Sequence, residues 1–302
     1  MKKRKLNSDE TWIHPKSKVK VTTMNHIVEV QYLSNQNTKQ NIQKLDSERY
    51  VDLDTGEIKN FDRTENRSQG LNSLRKTFRR LRELINTNFV GSGNELFITL
   101  TYRPELQTSD TKQVYNDYVK FMKRLKYKYR ETSTIDYINV LEPHASGKFH
   151  MHVLMRFNDI PKAYIKNEEL AKIWGNGFVK VNSLEKVDNI GAYVTAYLTD
   201  LEVPTTAKGD SVKEKEVVRD GDEVEKKKFI KGGRLHYYPT GVNIYRKSKG
   251  IEEPLVEQTT YKETQKKLGA ATPNHIYGVE LIDDENNFKN TIIKEQYNLK
   301  RK

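Results

Sequence analysis

The 302-residue chain carries 53 Lys and Arg against 41 Asp and Glu, a net +12, with a pI near 9.4 and a mean hydropathy of -0.84. That length allows one large domain or two small ones at roughly 100–200 residues each. The 35% hydrophobic share assigns part of the chain to solvated tail or loop. No stretch approaches the roughly 18 apolar residues of a membrane span, and Met1-Lys2-Lys3-Arg4-Lys5 runs into polar sequence without an apolar signal core. With no cysteine there is no disulfide framework, thiolate nucleophile or cysteine zinc cluster, which suits a reducing interior. The positive surplus points to an acidic partner, most often nucleic acid.

The first 70 residues are polar and mixed, with Gly56 marking a turn between two short extended pieces, and no chemistry is assigned to them. A helix is predicted next, because Leu71, Leu74, Phe78, Leu81 and Ile85 recur at helical spacing. Its opposite face carries Arg75, Lys76, Arg79, Arg80 and Arg82 against Glu83. Such a face is either a solvated surface or a track for a phosphate backbone.

Gly91-Ser92-Gly93-Asn94 leads into a predicted strand, Phe97 to Tyr102, closed by Pro104. A helix follows, capped by Ser109 or Asp110, with Val114, Tyr118, Phe121 and Leu125 as its stripe. Lys112, Lys120, Lys123, Arg124, Lys126, Lys128 and Arg130 make it cationic. Two strands, Tyr137 to Glu142 and Phe149 to Phe157, flank a loop with Pro143 and Gly147 and read as an antiparallel hairpin. Asn167 to Trp174 then reads as a short helix, Gly177 to Val181 as a strand and Asn189 to Leu198 as a helix. This order predicts an α+β fold in which helices cover one face of a mostly antiparallel sheet.

Glu202 to Lys231 holds eight acidic and eight basic residues and little to bury, so a flexible charged loop is expected over 201–233. Order is expected to resume at Arg234 to Tyr245. The divisions that follow are 1–70, 71–200, 201–233 and a carboxy-terminal extension, 234–302, partly packed on the central domain. There is no internal repeat and no P-loop pattern, so no nucleotide-driven motor is encoded.

The chemistry centres on His150-Met151-His152. Residues two apart in a strand share a face, so the two imidazoles sit side by side, and neutral imidazoles are good ligands for a divalent metal. Taken alone, such a pair more often packs than ligates. Glu142 ends the preceding strand, and the hairpin can bring its carboxylate to the histidines, completing a three-ligand site with open positions. His144, in the loop, is a competing ligand. Tyr193 and Tyr197, four apart on a helix, can present both phenols on one side. Phenol is a weak nucleophile at its free pKa of about 10, but a metal that draws charge off a phosphate favours its attack.

Phe97-Ile98-Thr99-Leu100-Thr101, Glu142 with Gly147 and His150-Met151-His152, and the Tyr193 and Tyr197 helix resemble, in order, the three motifs of the HUH endonucleases, the rolling-circle replication initiators. The likeness is nearest to the replication-associated proteins of small phages and plasmids. Such proteins also carry a Trp and Gly before a hydrophobic strand, as Trp174, Gly177, Phe178 and Val179 do, and often a basic helix before the first motif.

The resemblance implies a ferredoxin- or RRM-like nickase domain, with Glu142, His150 and His152 holding Mg²⁺ or Mn²⁺. It also implies attack by Tyr197 or Tyr193 on single-stranded DNA at a replication origin, leaving a 5′-phosphotyrosine and a 3′-hydroxyl primer, with later religation. Arg75, Arg79, Arg80, Arg82, Lys120, Lys123, Arg124 and Lys148 are the expected DNA contacts. A host helicase and DNA polymerase are the expected partners, in the cytoplasm of a bacterial host. The family often has Lys three residues after the nucleophile, where this chain has Asp200 after Tyr197, which leaves open which tyrosine acts first. A single-strand transposase or relaxase would use the same chemistry, and a non-catalytic RRM-like module would bind nucleic acid without metal or tyrosine.

Overall fold

The computed structural model describes residues 2–35, 41–46, 48–61, 71–144, 146–185, 187–203, 212–218, 224–230, 233–239, 241–285 and 287–301. The chain divides into two units, one formed by Asn66–Pro254 and the other by Met1–Glu65 with Leu255–Lys302.

The central unit is built on an antiparallel five-stranded sheet. Along the chain it runs α1 (Leu71–Asn88), β1 (Glu95–Tyr102), α2 (Thr111–Tyr129), β2 (Ile135–Pro143), β3 (Phe149–Phe157), α3 (Asn167–Trp174), β4 (Gly177–Ser183) and α4 (Ile190–Thr199). Then come β5 (Leu201–Val203), β6 (Val212–Val218), β7 (Val224–Ile230) and β8 (Tyr245–Lys247). The strand order of the main sheet is β4-β1-β3-β2-β8. This is the α+β class expected from the sequence.

The helices do not share one face as the sequence suggested. Val114, Tyr118, Phe121 and Leu125 of α2 and Leu170 and Trp174 of α3 pack against Ile98, Leu100, Met151 and Val153. On the other face, Leu74, Phe78 and Leu81 of α1 and Ile190, Val194 and Leu198 of α4 pack against Phe97, Ile138, Val140 and Leu154. The reason is two-sided burial: β3 carries Met151, Val153 and Met155 on one side and His152 and Leu154 on the other, and all five are buried.

The stretch expected to be a flexible loop contains β5, β6 and β7, which form a separate antiparallel sheet in the order β5-β7-β6. Its register pairs Glu214 with Lys228 and Glu216 with Lys226. Opposite charges across a ladder favour this pairing where apolar burial does not. Residues 204–211, 219–223, 231 and 232 of that stretch lie outside the described residues.

The amino-terminal region and the end of the chain, expected as separate pieces, form one unit. In its six-stranded antiparallel sheet, the strands Lys18–Met24 and Ile27–Leu33 of the first region lie between Phe288–Asn298 and Leu255–Thr260 of the last. Leu6, Ile13, Val19, Val30 and Ile293 make its core, against which Tyr261 and Leu268 of a short helix pack. Among the described residues no helix is long and apolar enough to cross a membrane.

Candidate metal centre and tyrosine helix

The β2–β3 hairpin positions the candidate ligands. Its register sets Glu142 opposite His150 and Val140 opposite His152, so the carboxylate and both imidazoles lie on the α1/α4 face. Gly147, at φ 74°, makes the turn in a left-handed conformation that side chains disfavour, and its N–H donates to the His144 carbonyl at 2.9 Å. The turn folds His144 back onto His150, with ring centroids 3.8 Å apart.

Glu142, His144 and His150 each offer one ligand atom, and these atoms all lie within 4.8 Å of one another. Glu142 is 2% exposed. The His144 Nε2 is buried and has no hydrogen-bond partner among the described residues, an orphan polar atom that a bound cation would satisfy. The donor set, two imidazoles and a carboxylate, suits a divalent metal with open positions. Burial, with repulsion from His144 and His152, pushes His150 down to about 3, and burial pushes His152 to about 3 and His144 below its usual value. All three rings are therefore neutral at physiological pH, the form that ligates.

His152 lies beside this trio, fully buried. Its Nε2 meets Glu142 Oε2 at 2.5 Å and its Nδ1 meets the Thr99 hydroxyl at 3.1 Å. A neutral ring satisfies both when Nε2–H donates to the carboxylate and Nδ1 accepts from Thr99, so this contact is a hydrogen bond rather than an ion pair. His152 can ligate through Nε2 only after that bond is given up. The trio brought together is thus Glu142 and His150, both expected, with His144, the competing ligand, and His152 braces the carboxylate.

Arg234, to which the sequence assigned no role, donates from Nη1 to Glu142 Oε1. The same residue caps α4: its N–H donates to the Thr199 carbonyl at 2.9 Å and its Nε to the Asp200 carbonyl at 3.1 Å. The Tyr238 hydroxyl donates to the Leu198 carbonyl at 3.3 Å. Carbonyls at a helix end otherwise lack partners, so residues 234–238 satisfy the end of α4 and tie it to the candidate ligand.

At its start, α4 is locked to α1. Asn189 caps it by accepting the Ala192 N–H at 3.0 Å, and Asn86 of α1 donates to Asn189 at 3.0 Å and accepts the Gly191 N–H at 2.7 Å. Tyr193 is 46% exposed and meets Phe97 edge-on at 6.4 Å, and Phe97 stacks on His152 at 5.6 Å. Tyr197 lies in α4, one turn on, and its side chain falls outside the described residues.

The expected DNA-contacting cations are divided. Arg75 and Arg79 are exposed on α1, on the histidine side of the sheet, while Arg80 pairs with Glu83 and Glu253 and Arg82 is half-buried. Lys148 lines a 140 Å³ cavity with His144, His150, Phe149, Ser146 and Gln107. Lys120, Lys123 and Arg124 belong to α2, on the opposite face. There Lys120 pairs with Asp117, and Arg124 donates to the Ile173 and Trp174 carbonyls, capping α3.

The chain matches no curated protein and no solved structure. Residues 95–202 match a family of replication-associated proteins, the ORF2 type. That segment holds Glu142, the three histidines and both tyrosines, and the match supports placing it among the rolling-circle replication initiators.

Proposed function

We propose that the chain initiates rolling-circle replication by nicking single-stranded DNA at an origin through a tyrosine nucleophile. The observation that carries this reading is a continuous line of contact: Tyr193 on Phe97, Phe97 on His152, and His152 on Glu142 of the candidate metal site. Glu142, His144 and His150 would hold Mg²⁺ or Mn²⁺, with His152 as a further candidate ligand. A divalent ion there supplies Lewis-acid polarisation of the scissile phosphate.

The protein's own residues do the rest. A phenol of α4, Tyr193 or Tyr197, gives up its proton and forms an O–P bond while the bond from phosphorus to the 3′ oxygen breaks. That oxygen takes up a proton to become a primer terminus, and the 5′ phosphate stays on the tyrosine. The phosphodiester energy is retained, so the reverse transfer religates without ATP. The second tyrosine is available for that later step. Arg75 and Arg79 on α1 and Lys148 beside His150 would hold the DNA backbone. With no P-loop in the sequence, strand separation falls to a host helicase and extension to a host polymerase.

The test is covalent capture. Labelled single-stranded DNA from the region flanking the gene, incubated with the protein and Mn²⁺, is expected to give a protein-linked band on a denaturing gel that EDTA abolishes. Capture that persists in a Tyr193→Phe/Tyr197→Phe double variant overturns the nucleophile assignment. Binding without capture in any divalent metal would favour a non-catalytic module.

A further inference from the structure

The edge strand β4 carries a large exposed side chain that packing does not explain. Phe178 is 67% exposed, whereas Val179 and Val181, pointing the other way, pack against the α2/α3 core. Register fixes the face on which Phe178 stands. Lys180 pairs with Thr99, Thr99 with His152, and His152 with Val140, so these four side chains line one row on the histidine face. Phe178, two residues from Lys180, shares that face and pairs with Thr101. One strand lies between β4 and the histidine strand, which places the Phe178 backbone roughly 10 Å from it, at about 4.8 Å per strand. Lys180 is exposed in the next position along the face.

We propose that Phe178 and Lys180 form a single-stranded-DNA subsite beside the metal centre, Phe178 stacking on a base and Lys180 contacting backbone phosphate. An exposed ring next to a cation on a sheet is the combination that single strands recognise, because every base offers a π-face and every linkage a negative charge. The charge of the surroundings agrees: the chain is +12, and exposed cations stand on α1 over this side of the sheet. Tyr193, another exposed aromatic on this face, sits over Phe97, so a strand laid from Phe178 toward α4 crosses the histidines. The ring is offered outward on a rigid strand whose backbone pairs with β1 over seven positions, so little ordering is needed on binding.

The inference rests on the nicking reading, and a metal-free measurement separates the two. Fluorescence anisotropy of a fluorescein-labelled oligodeoxythymidylate is followed with the full chain in EDTA. Phe178→Ala is expected to weaken binding by roughly 5- to 150-fold, the range for loss of one stacked base. Phe178→Trp is expected to restore it, and Lys180→Ala to weaken it and flatten its salt dependence. As Phe178 is exposed, unchanged thermal unfolding of the Ala variant checks that the fold is kept.

Equal affinity of Phe178→Ala and wild type overturns the subsite while leaving covalent capture intact. A Phe178→Ala protein that loses self-association but not DNA binding assigns the ring to a second copy of the chain and also overturns it. Phe178-dependent binding without covalent capture would sink the nickase reading and leave the subsite standing.

Discussion

The side-chain carbonyl of Asn86 accepts the backbone N–H of Gly191 at 2.7 Å, joining the basic helix to the tyrosine helix. A Cβ at Gly191 would lie 2.6 Å from both the Arg82 carbonyl and the Asn86 Oδ1, so only glycine permits this approach. Gly191→Ala is expected to cost about 1–3 kcal/mol or more by overpacking, and Asn86→Ala about 1–3 kcal/mol by leaving buried polar groups unpaired. Urea unfolding measures both. If α4 carries the nucleophile, covalent capture should fall in Gly191→Ala at temperatures where the protein is still folded, and full capture there would separate the helix position from the chemistry.

Removal of a ligand should be read in metal affinity. His144→Ala and Glu142→Gln are each expected to weaken Mn²⁺ binding more than about tenfold by calorimetry, since each deletes a donor from a three-atom set. His152→Ala is expected to weaken it through Glu142, roughly 10–100-fold for a residue that orients a ligand. Unchanged affinity in His144→Ala with complete loss in His152→Ala would shift the site to the histidine pair.

Arg234 faces Glu142 with a cation already in place. Arg234→Ala should destabilise the metal-free protein by up to about 3–5 kcal/mol, because the buried carboxylate loses a charged partner. Added Mn²⁺ should recover much of that loss, since the ion then meets a carboxylate without a competing guanidinium. Thermal melts with and without Mn²⁺ test this, and equal losses in both conditions would mean that Arg234 and the metal do not share Glu142.

The neutral histidines predict a pH dependence with a definite sign. Folded His150 and His152 stay unprotonated down to about 3, whereas unfolded histidine protonates near its ordinary value of about 6.5. Between those values the unfolded chain binds more protons, so stability is full above about pH 6.5 and falls as pH drops below it. Urea midpoints in EDTA from about pH 8 to about pH 5 should show that decline, with a shallower slope in His150→Asn. Parallel slopes in the two proteins would remove His150 as the cause.

Much of the central sheet was legible because its patterns are local. Phe149–Phe157 and Asn167–Trp174 have the bounds that alternation and helical spacing predict. Sidedness was harder, although the signal was present: in β2, Ile138, Val140 and Leu141 are buried in near-continuous order, and the Asn139 between them is buried too, the mark of a strand covered on both faces. His144 was legible only as a loop histidine, since its position depends on the Gly147 turn. The Arg234–Glu142 contact spans 92 residues and no periodicity encodes it. The charged ladder of β6 and β7 escaped because its pairing follows charge complementarity instead of apolar burial.

The shared sheet at the two ends of the chain sets an order of assembly during synthesis. Residues 66–254 are contiguous and can fold as soon as they leave the ribosome, but the strand Ile27–Leu33 must wait for Phe288–Asn298, its neighbour in the sheet. Contacts of such sequence separation form slowly. A nascent chain halted before residue 255 would therefore carry a complete central unit beside an amino-terminal region with unpaired strand edges, the kind of exposed backbone that recruits chaperones or other chains.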